Sequence, residues 1–184
     1  IANPSSFSGY SASGPIIITG AISHTQASSL NAVDATYIQA TISETTATNL
    51  AAISVDNSTR ASLNKFSVVV SDTTATAAEL NAVSAITSVA ADFTNITGVE
   101  ASSSADITTL YTGTGTGLGA ETISVNDTTL DAATLNSING YTTALVTTTA
   151  TSFSGTAAAL VTAVTNAGGG VTGVDVPVSV TDSG

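Results

Sequence analysis

Short β-branched runs alternate along this chain with apolar residues set at helical spacing. Residues 67–70 and 123–125 favour extended backbone, because side chains branched at Cβ pack well on a pleated surface. A few residues later Ala77, Ala78, Leu80 and Val83, and again Ala132, Ala133, Leu135 and Ile138, fall on one helical face. Between run and helix stands an acidic residue followed by threonines, Asp72–Thr73–Thr74 and Asp127–Thr128–Thr129. Their oxygens can accept from the free N–H groups that open a helix. Asn81 and Asn136 are placed to end the short helix or to bond into the turn after it. Each unit predicts strand, cap, short helix and turn.

The units repeat. Residues 68–83 laid over residues 123–138, an offset of 55, are identical at eight of sixteen positions, above chance even in so Thr- and Ala-rich a chain. Shortened copies occur at 24–33, 42–53 and 53–66, with degenerate ones at 105–110 and 156–164. Taking the central apolar residue as landmark gives Leu30, Leu50, Leu63, Leu80, Ile107, Leu135 and Leu160, an irregular series. Strands joined by short helices pair in parallel. The expected fold is therefore a β-rich α/β repeat solenoid, short parallel strands each followed by a turn or short helix. An all-β sandwich is the alternative, weakened by the helical Ala-Ala-x-Leu-Asn phrase.

Both ends depart from this pattern. Residues 1–20 form a Ser/Gly-rich arm whose Pro15–Ile16–Ile17–Ile18 run is strand-forming and suited to exchange into a neighbour. Residues 21–170 hold the repeats. Residues 171–184 alternate Val174, Val176, Val178 and Val180 as a half-buried strand, with Pro177 suited to an edge. The start at Ile1 rather than Met suggests processing from a longer precursor.

Composition sharpens this reading. Only 8% of residues are charged and 4% aromatic, with no Cys, Met or Trp, yet 42% are hydrophobic. That is the reverse of a disordered chain, and it favours thin layers of Val, Ile, Leu and Ala over a thick core. Two basic against thirteen acidic residues give a net charge of −11, which repels nucleic acid and anionic membrane surfaces. No apolar run is long enough to span a bilayer.

The phrases at 71–83 and 126–146, with the intervening stretch at 107–125, resemble tandem repeats of very large secreted surface proteins of marine cyanobacteria. Those proteins carry SDTT-x-x-A-x-x-LN phrases and a GITGLGxE connector, where this chain has Gly115 to Glu121, GTGLGAE. The resemblance runs from about 68 to 170. It implies an extracellular or cell-surface location, a repetitive scaffold and no catalysis.

The chemistry of individual residues agrees. His24 is the one histidine and has no acidic neighbour in sequence, so a polar surface role outweighs catalysis. Asp72 and Asp127, in equivalent positions, are the candidate calcium ligands, but capping alone explains an Asp before Thr-Thr. No other cofactor is indicated. The TGTGTG run at 112–117 lacks the Lys of a phosphate loop and reads as a flexible connector. Tyr10, Tyr37, Tyr111 and Tyr141 are too dispersed to mark a glycan platform by themselves. The expected function is a non-enzymatic extracellular subunit of a surface layer or fibre, joined head-to-tail to copies of itself through Pro15, Ile16, Ile17, Ile18, Val174, Val176, Val178 and Val180. An adhesin or fibre segment binding surface glycans is the alternative.

Overall fold

The computed structural model describes residues 14–31, 36–54, 64–166 and 170–182. Among them lie eleven strands and six helices. In chain order they are β1 (Ile16–Ile22), α1 (His24–Leu30), β2 (Ile38–Ile42), α2 (Ala47–Ala51), β3 (Lys65–Ser67), β4 (Thr74–Thr76) and α3 (Ala77–Ala85). There follow β5 (Gly98–Ser102), α4 (Ser104–Thr112), β6 (Thr122–Val125), β7 (Thr129–Asp131) and α5 (Ala132–Asn139). The series ends with β8 (Val146–Thr148), β9 (Ser152–Gly155), α6 (Ala157–Asn166), β10 (Val171–Thr172) and β11 (Val178–Val180).

This is a mixed α/β structure with parallel sheets. The strand orders are β1-β2-β3, β10-β8-β6-β5-β4 and β11-β9-β7, and among the described residues no sheet closes into a barrel. Ile16 lies opposite Ile38, Gln39 opposite Lys65, Thr74 opposite Gly98 and Gly98 opposite Thr122. Ile123 then faces Val146, which faces Val171 from the other side. Each step advances the chain by 22 to 26 residues, the length of a strand, a short helix and a return. Isolated parallel bridges link Val69 to Asp92 and Asp92 to Thr116. The all-β sandwich is not supported: a sandwich is built from antiparallel sheets, and here helices separate strands that pair in parallel.

One apolar cluster runs from Ile22 to Val171 between strands and helices. β2 shows how the sequence makes it, burying Ile38, Ala40 and Ile42 and exposing Gln39 and Thr41. On the helices the landmark is the fourth residue: Leu50, Leu80, Ile107, Leu135 and Leu160 are all buried there. In α1 that position belongs to Ala27, which is fully buried, while the expected landmark Leu30 is only partly buried. Leu63 lies outside the described residues. The first residue of α2, α3 and α5 is a buried alanine, small enough to let the helix start close to its strand.

Two boundaries differ from the sequence reading. The 67–70 run contributes only the end of β3 and the single bridge at Val69. The valine alternation near the C-terminus is not one strand. Val176 N–H bonds back to Val174 O at 3.0 Å, making a turn, and only Val178–Val180 is extended and paired.

Candidate functional site

The helices are capped twice, once from within and once from the neighbouring unit. Ser23, Thr46, Thr76, Ser103 and Asp131 each accept a hydrogen bond from a backbone N–H two or three residues on. Thr156 does the same for Ala159 N–H at 3.2 Å. In α1, α2, α3, α4 and α6 the first N–H instead reaches a residue some 20–25 positions later. His24 N–H donates to Glu44 Oε2 (2.8 Å), Ala47 N–H to Asp72 Oδ2 (2.5 Å) and Ala77 N–H to Ser102 Oγ (2.9 Å). Ser104 N–H donates to Asp127 Oδ2 (2.6 Å) and Ala157 N–H to Asp182 Oδ2 (2.8 Å). For α5 the corresponding position is Gly155, where a Cβ would sit 3.6 Å from Ala132 N and 3.2 Å from Ala132 Cβ.

Asp72 and Asp127 therefore cap, but not the helix that follows them. Each closes the helix of the preceding unit, while Thr76 and Asp131 open their own. The shared geometry of the two sites commits one carboxylate oxygen to an N–H group. Among the described residues no three His, Cys, Asp or Glu side chains are grouped to hold a metal ion. Asn81 and Asn136 likewise differ from expectation: they reach the next helix rather than their own turn. Asn81 Nδ2 donates to Asp106 O and Asn136 Nδ2 to Ala159 O, each at 2.9 Å.

The return segments are tied by a second set of repeated bonds. Thr87 Oγ1 donates to Phe66 O (2.7 Å) and Thr142 Oγ1 to Glu121 O (2.6 Å), 55 residues apart in both partners. Glu121 is only 1% exposed. Its carboxylate accepts from the Tyr111 hydroxyl and from the N–H groups of Gly119 (2.7 Å) and Ala120 (2.9 Å). Tyr111 stacks on Tyr141, ring centroids 4.9 Å apart. Burial, with the bonded carboxylate beside it, pushes the Tyr111 phenol far above the usual tyrosine range. These tyrosines are internal fastenings, with their faces spent on each other.

The TGTGTG run is held rather than flexible. Phe93 N–H donates to Thr116 O (2.8 Å) and Thr116 N–H to Ala91 O (2.9 Å). Gly115 lies against the Phe93 ring, and Gly117, at φ +92°, lies where a Cβ would be 2.6 Å from Thr94 N. His24 does gain an acid in the fold, its Nδ1 standing 3.3 Å from Glu44 Oε1. Burial opposes ionisation of Glu44, but the His24 N–H and Ser43 hydroxyl bonds hold its carboxyl below the usual range.

The expected assembly residues sit at the two ends. Ile16, Ile17 and Ile18 belong to β1, which among the described residues pairs with β2 alone, and Pro15 precedes it. Ile17 is 60% exposed. Val178 and Val180 belong to β11, which among the described residues pairs with β9 alone, while Val174 and Val176 are partly buried before it. Tyr10 and the arm up to residue 13 lie outside the described residues. Beside β1 a shallow depression of about 360 Å³ is lined by Ile18, Gln39, Thr41, Lys65, Ser67 and Val89 among others. Lys65 Nζ stands 4.4 Å from the centre of the Tyr37 ring.

No described helix is long and apolar enough to cross a membrane. Comparison with protein-family models, with curated proteins and with solved structures returned no match.

Proposed function

We propose that this chain is a non-enzymatic structural protein of a cell surface or extracellular fibre, its strand–helix units stacked as a short solenoid and its copies joined head-to-tail. The carrying observation is that, among the described residues, β1 and β11 are each paired along one edge, with Ile17, Val178 and Val180 exposed. Open parallel edges at opposite ends of a stack favour heterologous contacts, which extend rather than close. The resemblance to secreted cyanobacterial repeats supports the surface location. The sparse ionisable chemistry supports a scaffold, since the bonds made by Asp72, Asp127, Asp182, Asn81 and Asn136 all join one unit to the next.

Negative-stain electron microscopy of the purified chain, with and without a calcium chelator, tests this. Filaments or sheets that survive chelation support a strand-paired polymer. Dissolution by the chelator assigns the joints to calcium, and single particles at every protein concentration overturn the assembly reading. Deleting residues 1–20 removes most of β1 and abolishes assembly on this reading, while circular dichroism still reports folded repeats.

A second reading, a glycan-binding adhesive segment, rests on the depression beside β1, where Gln39, Thr41 and Ser67 present free polar groups around Lys65 and Tyr37. A glycan array with Lys65→Ala as the control discriminates it. Tyr111→Ala is unsuited to that purpose, because it removes the partner of buried Glu121.

A further inference from the structure

β2 and β3 alternate inward apolar residues with outward polar ones. Ala40 and Phe66 stand opposite each other and are both buried. The residues on either side of them therefore point outward, since successive strand side chains take opposite faces. Pairing sets Gln39 beside Lys65 and Thr41 beside Ser67 on that exposed face. Ile18 of β1 and Val89, in the return after α3, flank the two pairs and complete the depression of about 360 Å³. It lies across the face of all three strands, not along an edge. The side chains of Gln39, Thr41 and Ser67 make no hydrogen bond to a described residue.

Lys65 is the unusual member. The chain carries thirteen acidic residues against two basic ones, so acids are in excess for any lysine to pair with. Among the described residues no carboxylate pairs with Lys65. Its ammonium rests over the Tyr37 ring instead, 4.4 Å from the centre. An aromatic face attracts the cation without using up its three N–H donors, so the ammonium is positioned and still able to donate. No carboxylate lines this depression. The polar depression beside α2 and α3 has the opposite character, walled by Asp72, Glu79 and Glu100 with no base, and it repels an anion.

Resting on the adhesive reading above and deepening it, we propose that this depression binds one carboxylate-bearing sugar, of the uronic acid type, at the end of an otherwise neutral glycan. The Lys65 ammonium meets the carboxylate in a charge-assisted hydrogen bond. The Gln39 amide and the Thr41 and Ser67 hydroxyls, each able to donate and to accept, meet the sugar hydroxyls. Ile18 and Val89 lie against its C–H groups. A simple carboxylate would use Lys65 alone, so the amide and hydroxyls are what favour a sugar. Size and charge set the limits. At about 360 Å³ the depression is near the small end of ligand pockets (roughly 300–1,000 Å³), which suits a terminal residue and not a buried chain. Against a net charge of −11 one cation balances one acid. Further acids on the same glycan meet repulsion that salt does not fully screen at close range, so polyanions are disfavoured.

The test follows backbone amide shifts of the full chain by nuclear magnetic resonance during titration with methyl glucuronide and with methyl glucoside, which differ in one carboxylate. The glucuronide is expected to bind about tenfold more tightly, the order of one added charge-assisted contact, with the largest shifts at 39–41 and 65–67. Lys65→Gln, at an exposed position, should abolish that difference, and Lys65→Arg should keep it. Equal affinity for the two sugars, or a glucuronide preference that survives Lys65→Gln, would overturn this site's choice of ligand and leave the adhesive reading standing. Acetate binding as tightly as the glucuronide would reduce the contact to a counter-ion on Lys65 and overturn the sugar. Heparin binding more tightly than the glucuronide at physiological salt would overturn the limit to one charge. A glycan array with no saturable ligand, neutral or acidic, removes the adhesive reading and this inference together.

Discussion

Glu121 is the residue whose surroundings were least legible in sequence. GTGLGAE reads as a Gly-rich connector, and nothing in it announces a carboxylate held at 1% exposure. The fold makes it bearable by aiming three donors at it, two of them backbone N–H groups from its own turn and the third the Tyr111 hydroxyl. Only the third comes from a distant side chain, which is why the pair was invisible in one dimension. Tyr111→Phe removes that donor and leaves a buried acceptor short of a partner, a loss of about 2 kcal/mol. Urea unfolding checks it, with Tyr141→Phe as the control: the phenol of Tyr141 makes no hydrogen bond to a described residue, so that change stays within about 0.5 kcal/mol. The glycines of the same region misled in the other direction. Composition suggested freedom, but Gly115 and Gly117 are glycine because Phe93 and Thr94 come too close for a side chain, and at Gly117 because φ is positive.

At the scale of the element, most of each helix was readable. The landmarks Leu50, Leu80, Ile107, Leu135 and Leu160 fall at one helical position, and the Asp-Thr-Thr phrase does serve capping. What sequence spacing cannot tell is which helix a cap belongs to. Asp127 lies five residues before α5, the natural candidate, yet bonds the first N–H of α4, 23 residues earlier, because parallel pairing brings it there. Asp127→Ala therefore destabilises by about 1 kcal/mol through α4. Hydrogen exchange should show faster opening at residues 104–107 than at 132–135. The reverse order would return the cap to α5. Acid acts on the same class of contacts. The carboxyl of Glu79 is lowered by the N–H and hydroxyl of Thr76, and that of Asp92 by the hydroxyl and N–H of Thr94; Glu44 is lowered as well. A depressed folded-state value means that stability is fully present above the ordinary carboxylate range and is lost as pH falls through the depressed values. Relief of the net charge of −11 opposes this, so melting temperatures are best compared in high salt, where repulsion is screened. Under those conditions the melting temperature should fall between about pH 4 and pH 2 and hold steady from pH 5 to 7.

For the whole molecule, the repeat was legible and its period was not. The 55-residue offset was visible because two copies kept eight identities, but it is the spacing of alternate helices, α3 to α5; two steps of strand pairing, each of 22 to 26 residues, fall short of it, so it carries β4 onto β7 in another sheet. Alternate units bring their inter-unit cap from different distances before their own helix: Asp72 and Asp127 five residues before it, Ser102 two. A single-period search therefore finds every second unit and misplaces the others, as with Leu30 for Ala27. This organisation also fixes how stability is distributed. Because each unit touches mainly the units on either side, protection should grow with the number of flanking units rather than follow burial alone. Val99, Ile123 and Val146 have partners on both strands beside them, whereas among the described residues Ile16 and Val178 have one. Native-state hydrogen exchange in dilute solution should accordingly be slowest for amides of β5, β6 and α4 and fastest for β1, β10 and β11. Under the head-to-tail reading that gradient is conditional. Raising the protein concentration into the assembled range should slow exchange at β1 and β11 and leave β5 and β6 nearly unchanged, since only the end edges acquire new partners. Uniform protection along the chain in dilute solution would mean that the units fold as one indivisible core, and the open ends would then have no special claim to be joints.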